Sequence, residues 1–180
     1  QGLVAQGSDG FAEIEGHNWA YGYNVGILWE PVIGTRLGLS YRSQVRQEVS
    51  GEADFTLPSG ATILTAADVF VDTDVASTVT LPESASLALA QNLGHRWILL
   101  ASLDWTGWRD FDELRIEYDS AQPDSVTTEN WENNPRLALG LDWRIRPQWI
   151  LRGGTAYDWT PIPDAAQRTP RIPGNDRVWL

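Results

Sequence analysis

The chain has 180 residues, a formal net charge of −11 and no cysteine, which allows one domain but neither a disulfide framework nor a thiolate metal site. Its acidity argues against nucleic acid as a partner. A mean hydropathy of −0.29, with no apolar run of about 18 residues, excludes a helical membrane protein but not a barrel, whose strands turn every second side chain to a polar lumen.

All 13 cations are arginine, and there is no lysine or methionine. With no initiator methionine and no signal peptide, the sequence is expected to be part of a longer protein. Residues 1–18 are Gly-rich and polar without a sustained period, and are expected to end a strand and run into a surface loop. Residues 19–30 then alternate: Trp19, Tyr21, Tyr23, Val25, Ile27 and Trp29 against Ala20, Gly22, Asn24, Gly26, Leu28 and Glu30. A period of two is a strand, and rings at both ends with aliphatic residues between them suit a bilayer crossing of about ten residues. After a turn at 31–34, Leu37, Leu39, Tyr41 and Val45 alternate with Arg36, Arg42, Gln44 and Arg46. Three arginines on one face would be costly in a dry core and cost little in a watery lumen.

Residues 47–77 read as a long loop, with strand extensions allowed at its ends. A strand over 78–91 carries Pro82, which suits an irregular position in the ladder. A turn at 92–95 leads to a strand over 96–105, and a flip of parity beyond Gly107 predicts a bulge near 106–110. Residues 119–132 form a polar loop. Strands follow over 136–146 and 149–159 around a turn at 147–148, then a Pro-rich loop, and from 176 the start of a further strand. Connections thus alternate short and long, as in outer-membrane barrels. Trp29, Trp97 and Trp149 fall at the short-turn rim, and Trp19, Trp105, Trp108, Trp159 and Trp179 toward the long-loop rim. The fold class is all-β: an antiparallel up-and-down transmembrane barrel, present in part as six strands and the start of a seventh. The expected location is the outer membrane of a Gram-negative bacterium.

The run LRGGTAYDWTPIPDAAQRTPRIPGNDRVWL at 151–180 resembles a signature stretch of the FadL family, outer-membrane transporters of long-chain fatty acids and other hydrophobic compounds. WAYGYNVGILWEP, RLGLSYRSQVRQEVSGEADF, VTLPESASLALA, WTGWRDFDELRI and RLALGLDWR are similar to its successive strands in the same order. The resemblance implies a fourteen-stranded barrel plugged by an N-terminal hatch, with a lateral exit for the ligand. It implies a monomer in contact with outer-membrane lipid and lipopolysaccharide, with no cofactor and passive uptake. The hatch and the closing strands are expected outside this sequence. Members use basic lumen residues to meet the fatty-acid carboxylate; Thr127 and Thr128 stand where one would be sought ahead of Arg136, which leaves aromatic or alkane hydrocarbons open as ligands.

The lumen candidates are Arg36, Arg42, Arg46, Arg136, Arg144, Arg146 and Arg152, with Asn24 on the same face. Arginine would hold a passing carboxylate by charge-assisted hydrogen bonds. The alternative is a structural ladder with Asp104, Asp142 and Asp158. Arg42 and Arg136 lie well inside their strands and are the preferred contacts. Pro161, Pro163, Arg168, Pro173, Asp176 and Arg177 are candidates for the external mouth, or for a stiff loop tied by an Arg–Asp pair. Asp68, Asp72 and Asp74 lack the Gly and distal Glu of a calcium loop, so no metal is expected. An enzyme needs a nucleophile beside a base, but His17 and His95 fall at opposite rims and no G-x-S-x-G occurs. A general diffusion porin remains the other alternative.

Overall fold

The computed structural model describes residues 10–58, 68–165, 168 and 174–180. In chain order its strands are β1 (Phe11–His17), β2 (Asn24–Val32), β3 (Thr35–Arg42), β4 (Val45–Thr56), β5 (Thr73–Leu81), β6 (Ser84–Leu93), β7 (Trp97–Thr106), β8 (Glu113–Tyr118), β9 (Ser125–Thr128), β10 (Asn134–Arg146), β11 (Trp149–Asp158) and β12 (Arg177–Trp179). They form a seven-stranded antiparallel sheet ordered β2-β3-β6-β7-β10-β11-β12, and a five-stranded sheet ordered β1-β4-β5-β8-β9. The first is the open wall of a barrel, and its strands lie where alternation placed them, except that the expected strands over 35–46 and 78–91 each divide between the two sheets, at Ser43-Gln44 and at Pro82-Glu83.

Tight turns join β2 to β3, β6 to β7 and β10 to β11. Gly34 (φ 88°) and Gly94 (φ 70°) supply the left-handed backbone that two of them need. At its other end the chain leaves the wall for the five-stranded sheet. It does so at Ser43-Gln44 and returns at Pro82-Glu83, where proline has no N–H to give a ladder.

Several expectations change at this end. Residues 11–17 form β1, whose register sets Gly16 opposite Gly51; a Cβ on Gly51 would strike the Glu15 carbonyl oxygen. Its apolar side is only Ala12, Ile14 and Gly16, too weak a stripe to show a period. β2 begins at Asn24 rather than at 19, and its turn tightens to Ile33-Gly34. Into the expected loop over 47–77 strand extends from both ends, as the sequence allowed: β4 runs to Thr56 and β5 starts at Thr73. The parity flip near 106–110 is not a bulge. The chain exits the wall at Gly107 through a single 3-10 turn at Trp108–Asp110, and β8 pairs with β5 in the other sheet. The polar loop over 119–132 contains β9.

The five-stranded sheet has two unlike faces. Ala53 and Val75 are buried on one, where Phe55 lies 5.7 Å from Phe70 and 6.4 Å from Tyr118. The other carries carboxylates in register, Glu13 opposite Asp54 and Glu15 opposite Glu52. Among its described residues this unit holds 12 carboxylates and two arginines, Arg46 and Arg115.

In the wall, the odd-numbered side chains of β2 to β11 and the even-numbered ones of β12 make one apolar face. One row across the strands is Ile27, Leu39, Leu87, Leu103, Leu137, Tyr157 and Val178. Its first five members are exposed by 43% to 65%, a contiguous apolar surface that a soluble protein would bury. Trp97 stacks on Trp143 at 5.1 Å near the short turns, while Trp105 and Trp159 flank Pro135 at the opposite end. Rings at both edges of an aliphatic band are the pattern of a lipid-facing surface. Trp108 instead packs on Trp131, and Trp179 takes the register of Ala156 on the other face.

Candidate functional site

With that apolar face turned to lipid, the opposite face lines the barrel interior, and its rows differ in chemistry. Nearest the long connections lies Asn24, Arg42, Ser84, Thr106 and Asn134. Arg42 and Asn24, with Ser43, Ser84 and Thr106, line a cavity of about 540 Å³. The Arg42 guanidinium has no carboxylate within ion-pair reach among the described residues, so its donors are available.

One row further in come Ser40, Ser86, Asp104, Arg136, Asp158 and Arg177, in which acid and base alternate from strand to strand. Arg136 Nη1 meets Asp104 Oδ2 at 3.2 Å, and the Ser102 hydroxyl donates to the same oxygen at 3.3 Å. Cross-strand opposite charges of this kind reinforce the sheet by a fraction of a kcal/mol when half exposed.

The next row is made of small side chains: Gly38, Ala88, Ser102, Ala138 and Ala156, closed by Leu28 on β2 and Trp179 on β12. Beneath it run Arg36, Ala90, Leu100, Gly140 and Gly154. The two rows together form a trough. A cavity of about 520 Å³ spans from Leu28 and Arg36 to Gly140, and a smaller one of about 240 Å³ continues from Ala138 to Trp179. Arg36 is the one charged side chain lining either cavity. Nearer the short turns than the trough, Arg152 Nε pairs with Asp142 Oδ2 at 3.2 Å.

The remaining candidates are dispersed. Arg46 lies on β4 in the five-stranded sheet and pairs with Glu48 at 3.1 Å. Thr127 and Thr128 are on β9 in that sheet, not on the wall. Arg144 pairs with Ile150, the rung before the last, its N–H donating to the Arg96 carbonyl at 2.7 Å. Arg146 departs from strict alternation. A register shift between Arg144 and Arg146 pairs it with Trp149, which places it on the outward face.

Among the candidates for the mouth, Asp176 accepts from the Tyr157 hydroxyl at 2.6 Å and from the Thr160 N–H at 2.9 Å. These donors, the Tyr157 hydroxyl first, and the nearby Arg168 charge hold its carboxyl below the usual range. Arg168 itself donates to Asn175 at 3.4 Å, and Arg177 faces Asp158 in register. The Pro161 carbonyl accepts from Glu132 N–H at 2.7 Å, with Ile162 buried beside it and Pro163 exposed. Pro173 lies outside the described residues. Asp72 accepts from the Phe55 N–H at 2.8 Å and Asp74 is part of β5. Among the described residues no three acidic or histidine side chains are placed to hold a metal.

Two features escaped sequence reasoning. The trough consists of alanine, glycine and serine, which carry no chemical signal until register aligns them. Trp131, from the supposed polar loop, is buried against Trp108 (4.6 Å) and Phe111 (5.1 Å) and donates its Nε1–H to Glu129 at 2.9 Å. A tryptophan within a polar run was the available clue.

The family described as "Outer membrane protein transport protein (OMPP1/FadL/TodX)" matches residues 2–180. A long-chain fatty acid transport protein of Escherichia coli O6:H1 is 33% identical over 175 residues, covering 94% of this chain and 39% of the relative. The crystal structure of a Pseudomonas aeruginosa FadL homologue superposes with a TM-score of 0.79 at 26% identity, over 98% of this chain and 42% of that one. The Pseudomonas putida toluene transporter TodX shares the fold, with a TM-score of 0.53 at 18% identity over 78% of this chain and 34% of that one. The chain therefore spans about two fifths of the length of its relatives.

Proposed function

The chain belongs to the OMPP1/FadL/TodX family of outer-membrane transport proteins, and we propose that the protein it forms part of takes up long-chain fatty acids or related hydrophobic compounds passively. In this reading the seven-stranded sheet is a stretch of barrel wall, completed by strands elsewhere in the protein, and no covalent chemistry occurs. The observation that carries the proposal is the trough. An interior wall of a general porin would be polar throughout, whereas here small and aliphatic side chains run across five neighbouring strands. An alkyl chain lying there leaves water without displacing any bound charge.

Arg42 and Arg36 are the proposed anchors for a carboxylate, with Asn24 beside Arg42. Arg36 lines the trough and Arg42 lies beyond its upper row, six residues or about 20 Å away along β3. Arg136 and Arg152 already hold Asp104 and Asp142, and in this reading they set the charge pattern of the wall. A hydrocarbon ligand is the second reading, favoured by the near absence of charge inside the trough.

Displacement of a fluorescent long-chain fatty acid from the full-length protein in bilayer tests both. Palmitate, methyl palmitate and hexadecane serve as competitors. Losing a hydrogen bond to a charged group costs about 1.5–3 kcal/mol, so Arg42→Gln should weaken palmitate roughly 10- to 150-fold and leave the ester unchanged. Competition by hexadecane alone selects the hydrocarbon reading. No competition by any of the three returns the porin.

A further inference from the structure

The short-turn rim carries an arrangement that uptake does not use. Strict alternation along β10 would aim Arg146 into the lumen, but the shift in register after Arg144 pairs it with Trp149. Trp149 is two residues from Leu151, which faces Trp143, so all of them share the outward, lipid-facing side. Trp143 in turn stacks on Trp97 with the ring planes 6° apart. Arg146 thus shares its face with three tryptophans, Trp149 directly opposite, at the edge of the apolar band, the depth at which aromatic girdles mark the headgroup region. Among the described residues it has no carboxylate partner. The carboxylate closest to it along β10, Asp142, faces the interior and is held by Arg152.

The adjoining turn adds charge of the same sign. Arg144 N–H bonds directly to the Arg96 carbonyl, which brings the ends of two hairpins together, and neither guanidinium has an ion-pair partner among the described residues. His95 and Arg96 line one small cavity with Arg144 and with Asp142, whose carboxylate is already paired with Arg152. A chain of net charge −11 therefore presents a basic edge at this rim.

We infer that Arg146, in the field of Arg96 and Arg144, binds the phosphate of an anionic phospholipid headgroup at the short-turn rim. A planar guanidinium matches a phosphodiester by two parallel hydrogen bonds, and the tryptophan faces cover the glycerol and the first methylenes of the chains. Short turns lie on the periplasmic side of such barrels, where the leaflet is phospholipid. A lipid is favoured over an acidic protein because the arginine shares its face with the rings and aliphatic side chains that meet hydrocarbon.

The test places the full-length protein in nanodiscs of mixed phosphatidylglycerol and phosphatidylcholine and reads retained lipid by native mass spectrometry. Phosphatidylglycerol should be retained in preference. Arg146→Gln should reduce that retention roughly fivefold, the worth of one arginine at an anionic surface, and Arg146→Lys should restore part of it. Arg109→Gln, the same charge change at the opposite end, should have no effect. Equal retention by Arg146→Gln, or an equal loss in Arg109→Gln, overturns the inference. Release of the lipid by excess inorganic phosphate does so too, since the site would then be one for free anions. Co-purification of an acidic protein in place of lipid has the same consequence.

Discussion

Filling the trough should shorten the ligand the wall can hold. Gly140 stands at its centre, opposite Leu100 and Gly154. A Cβ added there would sit 3.5 Å from Leu100 Cβ and 3.7 Å from the Gly153 carbonyl oxygen, ordinary contacts that ask nothing of the backbone. Gly140→Leu therefore places about four carbon atoms where ligand methylenes would lie. At about 0.8 kcal/mol per buried methylene the full loss would be about 3 kcal/mol. The trough is open on one side, so about half of that, or roughly tenfold in affinity, is expected for a long chain. The same displacement assay, run with octanoate, laurate and palmitate, reads this as a flattened dependence on chain length. Gly153→Leu is the control: nothing lies within 4 Å of its Cβ, and its register faces lipid. Equal behaviour of the two variants, or palmitate bound by Gly140→Leu as by wild type, would refute the assignment of the trough to the alkyl chain.

The neighbouring glycines also predict a difference in stability. A Cβ on Gly154 would come within 2.8 Å of the Leu139 carbonyl oxygen, so Gly154→Ala should cost about 1–3 kcal/mol in urea unfolding, while Gly153→Ala should be nearly neutral. Asp176 gives a pH signature. Its carboxyl is held below the ordinary 3.8, so its contribution is fully present above that value and is lost as pH falls through the lower folded value. The gap in thermal stability between wild type and Asp176→Asn should be constant near neutrality and close in acid; a gap that widens on acidification would contradict the Tyr157–Asp176 clasp.

What the sequence made legible was whatever depends on period alone. Alternation over 136–146 located β10, and Gly34 and Gly94 marked two turns, because backbone sterics act through single residues. Register was not legible. No local signal says that Gly38, Ala88, Ser102, Ala138 and Ala156 share one row, since that follows from pairing residues separated by tens of positions. Partnering was equally hidden: Arg42 and Arg136 read alike as lumen arginines, and only the third dimension gives Asp104 to one and an open cavity to the other. The parity flip at Gly107 was seen but misassigned, because a bulge and an exit to another sheet produce the same reversal in a one-dimensional pattern. The shift at Arg146 left no trace, as Ile145 continues the alternation.

The five-stranded sheet holds a contradiction that ionic strength should expose. Glu13 faces Asp54 and Glu15 faces Glu52 in direct register, and like charges so placed each cost roughly a few tenths of a kcal/mol. The arginines of that unit are already committed, Arg46 to Glu48 and Arg115 to Glu113 and Asp124. Repulsion between β1 and β4 is therefore unrelieved within the unit, while the wall, with its alternating Asp104, Arg136, Asp158 and Arg177, is balanced. Raising salt from about 10 mM to about 150 mM shortens the screening length from about 30 Å to about 8 Å. Amide exchange over 11–17 should then slow, and exchange over β10 should stay level. Glu13→Gln should give the same protection at low salt that screening gives at high salt. If β1 exchanged at one rate in both salts, or if Glu13→Gln left it unaltered, the paired carboxylates would not be interacting and the register of β1 on β4 would be in error.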